Sequence, residues 1–347
     1  MSKICIVSDI HLGVRNNSPF FIKEMEKFFE DVFFPYIDEH KIKCVLNLGD
    51  VFDKRPTLNY VVFSEGKKFL FDELNKRDLR NIFLVGNHDC PFRHSNHPNS
   101  VRLLVDNNHY SSFEVYDEPS EIEIDGVKIC LIPWVNSENQ TETKRLIEST
   151  KAKFLFGHLE IIGFQMLKGI KAESGFDRNY LGKFNKVFSG HFHHRSSEDN
   201  IHYVGNPLET TWSDYGNKKG FHIFDLETEE LNFIENPFTS HIVINNIDDV
   251  TESKIGNKIV KIDLTDKDNL VKESIYKKLD SLKIQPHSWQ AVDHSDFKSR
   301  TENIEIEDGS IKTTQELIGE YVKLSSLTKK DEIENYLMTL HNKALEV

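Results

Sequence analysis

The sequence predicts a layered α/β fold, and two observations carry the prediction. Apolar strands and amphipathic helices alternate through residues 3–85 in a β-α-β-α-β rhythm. Strand after strand then ends in a cluster of polar, ligand-type residues, at the carboxyl ends where α/β folds place their chemistry.

Residues 3–8 read as a short apolar strand ending in Ser8-Asp9. Residues 19–40 read as a helix, because Phe21, Met25, Phe28, Phe29 and Phe33 recur near helical spacing. A second strand over 43–48 ends in Gly49-Asp50, a helix follows over 58–77, and a third strand over 81–85 ends in Gly86-Asn87. Residues 112–134 alternate polar and apolar side chains around Asp125-Gly126, a hairpin turn signal. A helix at about 139–150 precedes a strand over 154–156 that ends in Gly157-His158. The strand over 187–189 ends in Gly190-His191, and residues 201–204 and 220–226 read as further strands.

Beyond about residue 240 the texture changes. Residues 258–264 alternate like a half-exposed strand, 268–282 fit a helix, and 284–293 fit a second strand, a small α+β module. Glu302, Glu305, Glu307 and Asp308 mark an acidic linker. Two helices, at 312–325 and 328–345, form a C-terminal helical hairpin, with Thr328 as N-cap and Asp331 three residues on. The expected domains are 1–240, 241–300 and 301–347.

With 38% hydrophobic residues the 347-residue chain has enough apolar surface for a sizeable core. No apolar run approaches the roughly 18–20 residues that span a membrane, and the N-terminus opens on Lys3-Ile4-Cys5-Ile6-Val7 rather than a secretory segment. The four cysteines (Cys5, Cys44, Cys90, Cys130) show no paired spacing, so free thiols in a reducing cytoplasm are expected. A net charge of −13 argues against coating nucleic acid by bulk charge. A local basic rim and bound cations can still create a positive field.

The chemistry lies in five clusters: Asp9-Ile10-His11, Gly49-Asp50-Val51-Phe52-Asp53, Gly86-Asn87-His88-Asp89, Gly157-His158 and Gly190-His191-Phe192-His193. On extended backbone the two ends of D-x-H and H-x-H point to one side and can meet one site. The glycines allow sharp strand-to-loop turns and close backbone approach. Mixed carboxylate, imidazole and amide donors suit Mn, Fe or Zn better than Mg or Ca. Seven candidate ligands (Asp9, His11, Asp50, Asn87, His158, His191, His193) exceed what one ion needs. They suit a pair of divalent ions about 3.5–4 Å apart that clamps an in-line displacement at phosphorus.

The order of these motifs over residues 3–226 resembles the calcineurin-like metallophosphoesterase superfamily. Within it, Ser8-Asp9-Ile10-His11-Leu12-Gly13, Gly49-Asp50-Val51-Phe52-Asp53, and Tyr203-Val204-Gly205-Asn206-Pro207 followed by Gly220-Phe221 resemble the SbcD-type nucleases of double-strand-break repair, their phage recombination members most of all. The resemblance implies a layered β-sandwich flanked by helices, with a DNA-capping module and helices that grip a coiled-coil, SMC-like ATPase. It implies one ion on Asp9, His11, Asp50 and His193, a second on Asp50, Asn87, His158 and His191, and Mn²⁺-dependent 3′-to-5′ exonuclease and endonuclease action on double-stranded DNA ends. His88 would contact the scissile phosphate or protonate the leaving oxygen. Cellular members tend to carry His where this chain has Asp53. That Asp is similar to one in phosphoprotein phosphatases that orients the catalytic histidine, so an Asp53–His88 pair is expected.

Arg15, Lys54, Arg55, Arg93 and Arg195 follow the ligand clusters and are expected to position DNA phosphates as a set. The helices over 58–77 and 99–107 carry Val61, Val62, Phe69, Leu70, Leu103 and Leu104, and the resemblance makes them a homodimer face. Leu317, Ile318, Tyr321, Val322 and Leu324, then Ile333, Tyr336, Leu337 and Leu340, form the expected partner-docking surface. Two other readings are a phosphomonoesterase or protein phosphatase of the same fold, and a scaffold without activity. The complete ligand set speaks against the latter, and the C-terminal module speaks for the nuclease. A phage-encoded chain of this kind would work in the host cytoplasm.

Overall fold

The computed structural model describes residues 3–77, 79–167, 170–293, 319, 322 and 329–345. The chain divides into two compact units, residues 1–292 and 293–347.

The first unit is built on β1 (Lys3–Val7), β2 (Cys44–Asn47), β3 (Arg80–Leu84), β4 (Phe113–Tyr116), β5 (Ser120–Ile124), β6 (Val127–Ile132) and β7 (Phe154–Gly157). A small hairpin, β8 (Gln165–Leu167) and β9 (Ile170–Lys171), leads to β10 (Lys186–Ser189), β11 (Ser196–Glu198), β12 (Ile201–Tyr203), β13 (Gly220–Asp225) and β14 (Leu231–Glu235). One six-stranded sheet runs β14-β13-β1-β2-β3-β4, and a second runs β11-β12-β10-β7-β6-β5.

Side-chain alternation explains why these strands stack as a sandwich. Ile4 and Ile6 face one way with Leu46, Ile82 and Leu84, and meet Ile129, Leu131, Phe154, Phe156 and Phe188 of the other sheet in one core. Cys5, Val7, Val45 and Phe83 face the opposite way, into a core shared with the helices over 19–39 and 60–76. The second sheet turns Cys130, Ile132, Leu155 and Val187 to its own outer core. All four cysteines are free and buried, as expected.

The two long helices fall where their apolar spacing placed them, with a feature the spacing did not show. Each contains a π-type stretch, Phe29–Phe33 and Lys67–Phe71. The Phe34 N–H bonds to the Phe29 carbonyl and the Asp72 N–H to the Lys67 carbonyl, five residues apart. The wider turn lets Phe28, Phe29, Phe33 and Phe34 all reach the core, more than one stripe of an α-helix can bury.

The expected hairpin closes at Asp125-Gly126, pairing Ile124 with Val127. The late α+β module has a core of its own, formed by Ile244, Val250, Ile255, Val260, Ile262, Leu264, Ile275 and Leu279. Its strands Ile259–Asp263 and Ser288–Val292 and its helix Asn269–Asp280 match the expected elements. The sequence reading missed its third strand, His241–Ile244, which pairs parallel to Ile259–Asp263. It also missed β8, β9, β11 and β14. These are short strands with little alternation, placed by distant pairing rather than local preference.

In the second unit a helix covers Lys330–Leu345, matching the expected 328–345 helix. Of the helix expected over 312–325, only Gly319 and Val322 are described, both helical. The acidic linker over 302–308 and Thr328 lie outside the described residues. No helix among the described residues is long and apolar enough to cross a membrane.

Candidate metal centre

All five motif clusters meet at the carboxyl ends of β1, β2, β3, β7 and β10. Loop-to-loop hydrogen bonds hold them there. The N–H groups of Asp9, His11 and Leu12 donate to the carbonyls of Gly49, Asp50 and Val51 at 3.0, 3.0 and 2.8 Å. Between the sheets, the His191 N–H donates to the Asp9 carboxylate at 3.0 Å, and His158 Nδ1 lies 2.7 Å from the Leu48 carbonyl.

The side chains converge, but not by the expected route. Asp9 (φ 54°), His11 (φ 48°), Asp50 (φ 54°) and His191 (φ 85°) all occupy left-handed backbone instead of extended strand. Non-glycine residues enter this region at a cost, and such residues cluster at functional sites. D-x-H and H-x-H meet the site because the chain kinks at the ligand, not because alternate residues share a strand face.

The centre reads as interlocking groups. Asp9, His11 and His193 lie together, as do Asp50, His158 and His191, and a third group joins His11, Asp53 and His88; within each, the candidate ligand atoms lie within 4.8 Å of one another. Asp50 faces two of these groups, with its Oδ2 at 3.7 Å from His11 Nε2 and 3.4 Å from His158 Nε2. The Asn87 Oδ1 lies 3.0 Å from His158 Nε2 and 2.9 Å from His191 Nδ1, and the Nε2 atoms of His11 and His193 face each other at 2.9 Å. Imidazole nitrogens, carboxylate and amide oxygens turned inward at such spacing fit divalent cations.

The electrostatics follow from this packing of side chains alone. Burial disfavours a charged imidazole at His158, yet the facing Asp50 carboxylate pushes its pKa up to about 9. Burial would raise the Asp50 carboxyl, but His158 holds it well below the usual carboxylate range. Burial and the neighbouring imidazoles keep His11 well below its ordinary value and bring His191 down to about 3, leaving both as neutral nitrogen donors.

His88 and Asp53 sit together, but the bond is not the expected one. His88 Nδ1 lies 2.5 Å from the Asp53 backbone carbonyl, while the Asp53 carboxylate lies 3.6 Å from His11 Nδ1. The carbonyl fixes the His88 tautomer with its proton on Nδ1, leaving Nε2 for a ligand. The His88 backbone N–H donates to Asp50 Oδ1 at 2.8 Å, so the two residues are placed together.

Glycines make this density possible. A Cβ on Gly86 would lie 2.2 Å from Asp50 Oδ1, and one on Gly190 would lie 2.1 Å from Ser8 Oγ and 3.0 Å from Asp9 Oδ2. Gly190→Ala is therefore expected to cost about 1–3 kcal/mol of stability by overpacking and to weaken Mn²⁺ binding by displacing Asp9. Thermal melting and calorimetric titration with Mn²⁺ check this; unchanged Mn²⁺ affinity would show that the Ser8-Asp9 turn gives way freely.

Three contributors escaped the sequence reading. Asp89 is buried, and its carboxylate accepts from the N–H groups of Asp50, Val51, Phe52 and Gly86 at 2.9–3.1 Å, tying the loop after β2 to the loop after β3. Its place in Gly86-Asn87-His88-Asp89 was the available signal. Lys219, also buried, donates to the His193 carbonyl at 3.0 Å, Asn206 Oδ1 at 2.6 Å and Asp214 Oδ1 at 2.7 Å, and so anchors the His193 loop. Trp134 lies against His191, ring centroids 5.1 Å apart, and no local motif announces it.

The basic residues take different positions. The Arg15 Nε donates to the Thr210 carbonyl at 2.9 Å, and Lys54 donates to Asn16 Oδ1 at 2.8 Å. Arg195 lies over the Phe233 ring at 3.9 Å, Arg55 is half-buried, and Arg93 is exposed.

A divalent-cation donor set at the mouth of a two-sheet sandwich defines a metal-dependent phosphoesterase. The profile of the calcineurin-like phosphoesterases matches residues 2–195, and the chain belongs to that family. It is a metal-dependent phosphodiesterase. Among its relatives, exonuclease subunit 1 of Enterobacteria phage T4 is 31% identical over 339 residues, covering 95% of each chain. The SbcD component of the SbcCD nuclease of Staphylococcus epidermidis is 25% identical over 261 residues, covering 66% of this chain and 67% of that one.

Proposed function

We propose that the chain is the nuclease subunit of a DNA-end-processing complex, cutting phosphodiesters with two divalent ions, Mn²⁺ foremost. The convergence of seven donors from five strand ends carries the reading, and the phage exonuclease and SbcD relatives support DNA as the substrate. Asp9, His11, Asp50 and His193 would hold one ion, and Asp50, Asn87, His158 and His191 the other. When bound, the ions supply an activated water and neutralise charge at phosphorus. The chain's own groups do the rest. Asp50 joins the two halves of the centre through one carboxylate. His88, anchored at Nδ1, offers Nε2 to the scissile phosphate or passes a proton to the leaving oxygen. Arg15, Lys54, Arg55, Arg93 and Arg195 position the strand through its phosphates.

Residues 241–300 act in this reading as a DNA-capping domain, and 301–347 as the segment that docks on a coiled-coil, SMC-like ATPase. Tyr336 is exposed on the Lys330–Leu345 helix and suits such a contact.

The test is degradation of linear double-stranded DNA with Mn²⁺, run beside a phosphomonoester, for the protein and His88→Ala. The variant should cut DNA about 10²–10⁴-fold more slowly while binding Mn²⁺ normally. Phosphomonoester turnover without DNA cleavage would move the chain to the phosphatase branch.

A homodimer would set two such centres on two DNA ends. Val62, Phe69, Leu70 and Leu104 are buried in the core, whereas Tyr60 (91% exposed), Val61 (61%) and Leu103 (50%) remain on the helix surfaces. Val61→Asp with Leu103→Asp is expected to convert a dimer to a monomer in sedimentation velocity. An unchanged mass would remove these helices from the interface.

A further inference from the structure

We propose that a cavity at the amino-terminal ends of β1, β2 and β3 is a second, non-catalytic site, for a nucleotide-sized organic phosphate. The cavity has a volume of about 410 Å³ and is lined by Lys3, Lys41, Lys43, Arg80, His40 and Tyr36. That volume falls within the range of small-molecule sites, roughly 300–1,000 Å³. It lies at the opposite end of the strands from the metal centre, so the two sites are separate.

Three features point to the ligand class. The first is charge. On a chain of net charge −13, four cationic side chains and one acid, Asp125, line this cavity. Glu114 holds the Arg80 guanidinium at 2.6 and 3.0 Å, so Arg80 is a fixed wall. Lys41 and Lys43 form no ion pair or side-chain hydrogen bond among the described residues, Lys3 interacts electrostatically with Asp225, and three ammonium groups around one concavity suit a phosphate.

The second is an aromatic platform. The rings of Tyr36 and His40 stack with centroids 3.9 Å apart and an interplanar angle of 10°. The His40 Nδ1 lies 3.0 Å from the Tyr36 carbonyl, which fixes the outer ring. An exposed ring set flat in this way can take a base by stacking, and Ile42, Ile124 and Ile223 give the cavity an apolar floor.

The third is backbone strain. Lys41 has φ 52°, just past the end of the Phe34–Glu39 helix, where glycine or asparagine is the usual choice. A lysine held there costs stability, and it points to a reason for a cation at that place.

Free mononucleotides and the phosphorylated end of a strand share this chemistry. Binding would be measured by calorimetry on the full chain, with the metal centre held in chelator so that it takes no phosphate. The probes are deoxyadenosine 5′-monophosphate, deoxyadenosine, inorganic phosphate and a 5′-phosphorylated single-stranded decamer. The monophosphate should bind one to one and at least tenfold tighter than deoxyadenosine or phosphate alone. Lys41→Glu with Lys43→Glu should weaken it at least tenfold, and His40→Ala should weaken the nucleotide but not phosphate. Both variants should keep the Mn²⁺-dependent cleavage rate, which separates this site from the nuclease reading. A decamer that outbinds the monophosphate would identify the source as a strand end; a weaker decamer would identify the free nucleotide. Equal affinity in the charge-reversed protein, phosphate binding as tightly as the nucleotide, or no saturation up to about 10 mM would each overturn the proposal.

Discussion

Asp50→Asn is expected to slow phosphodiester cleavage at least a thousandfold, equivalent to about 4 kcal/mol of lost transition-state stabilisation. Asp50 is the carboxylate that faces both halves of the centre, 3.7 Å from His11 Nε2 and 3.4 Å from His158 Nε2. An asparagine keeps the shape and still accepts the His88 N–H, so the loops should hold and the loss should be chemical. Removing the charge also removes the largest of the contributions that push His158 up, so its pKa should fall, with Asp9 and the Leu48 carbonyl still opposing burial. Cleavage of a chromogenic phosphodiester, Mn²⁺ affinity and thermal melting would be read together. Asp50→Asn should lose cleavage and Mn²⁺ affinity, whereas His88→Ala should lose cleavage alone. A fall of less than tenfold in the Asp50→Asn rate would sink the bridging role.

Lys219→Met carries the second large effect, about 3–5 kcal/mol of stability, the usual cost of removing one partner from a buried charge pair. Lys219 and Asp214 are both almost fully buried, 2.7 Å apart. The Asp214 carboxylate also accepts from the Thr210 and Thr211 N–H groups at 3.0 and 2.9 Å, so it stays charged and caged once the lysine has gone. Burial and then Lys219 set its acidity, and Lys219 holds the Asp214 carboxyl well below its ordinary value. Chemical denaturation would give the stability change, and activity above the melting loss would report on the His193 loop. Adding Asp214→Leu to Lys219→Met should restore part of the stability, because no charge then remains unpaired. A Lys219→Met protein within about 1 kcal/mol of the original would mean that solvent reaches the pair.

The residues that converge as candidate donors, with His88 beside them, were legible because each cluster follows a strand and carries residue types that share one chemistry. The layered α/β architecture was legible from the β-α-β-α-β rhythm and the sandwich from the resemblance of the motif order, whereas the opposite faces of Ile4 and Ile6 against Cys5 and Val7 lie hidden in one continuous apolar run. Other features were hidden because they depend on contacts far apart in the chain. Asp89 looks like one more acid until four N–H groups from two loops converge on it. Lys219 looks like surface charge until it is found between Asp214, Asn206 and the His193 carbonyl. The Asp53 expectation chose the right neighbour: its carboxylate lies beside the His88 ring, while the direct bond to His88 Nδ1 comes from the Asp53 backbone carbonyl, which a one-dimensional pattern does not distinguish. The π-type turns left a faint trace in the doubled Phe28-Phe29 and Phe33-Phe34, which no 3.6-residue period accommodates.

The left-handed backbone at Asp9, His11, Asp50 and His191 changes how a saturation mutagenesis map of this chain should be read. Each position answers for chemistry and for geometry at once. Asparagine, aspartate, histidine and glycine tolerate that backbone, whereas valine, isoleucine and threonine resist it. At Asp50 an asparagine score isolates the missing charge, while a valine score mixes it with a distorted loop. Tolerance profiles at these four positions should therefore look like turn positions even in a screen for folding alone, a signature that Asn87, His158 and His193, which do not have this backbone, should not show. A single abundance-only scan would sort the candidate ligands into those two groups without any substrate being present.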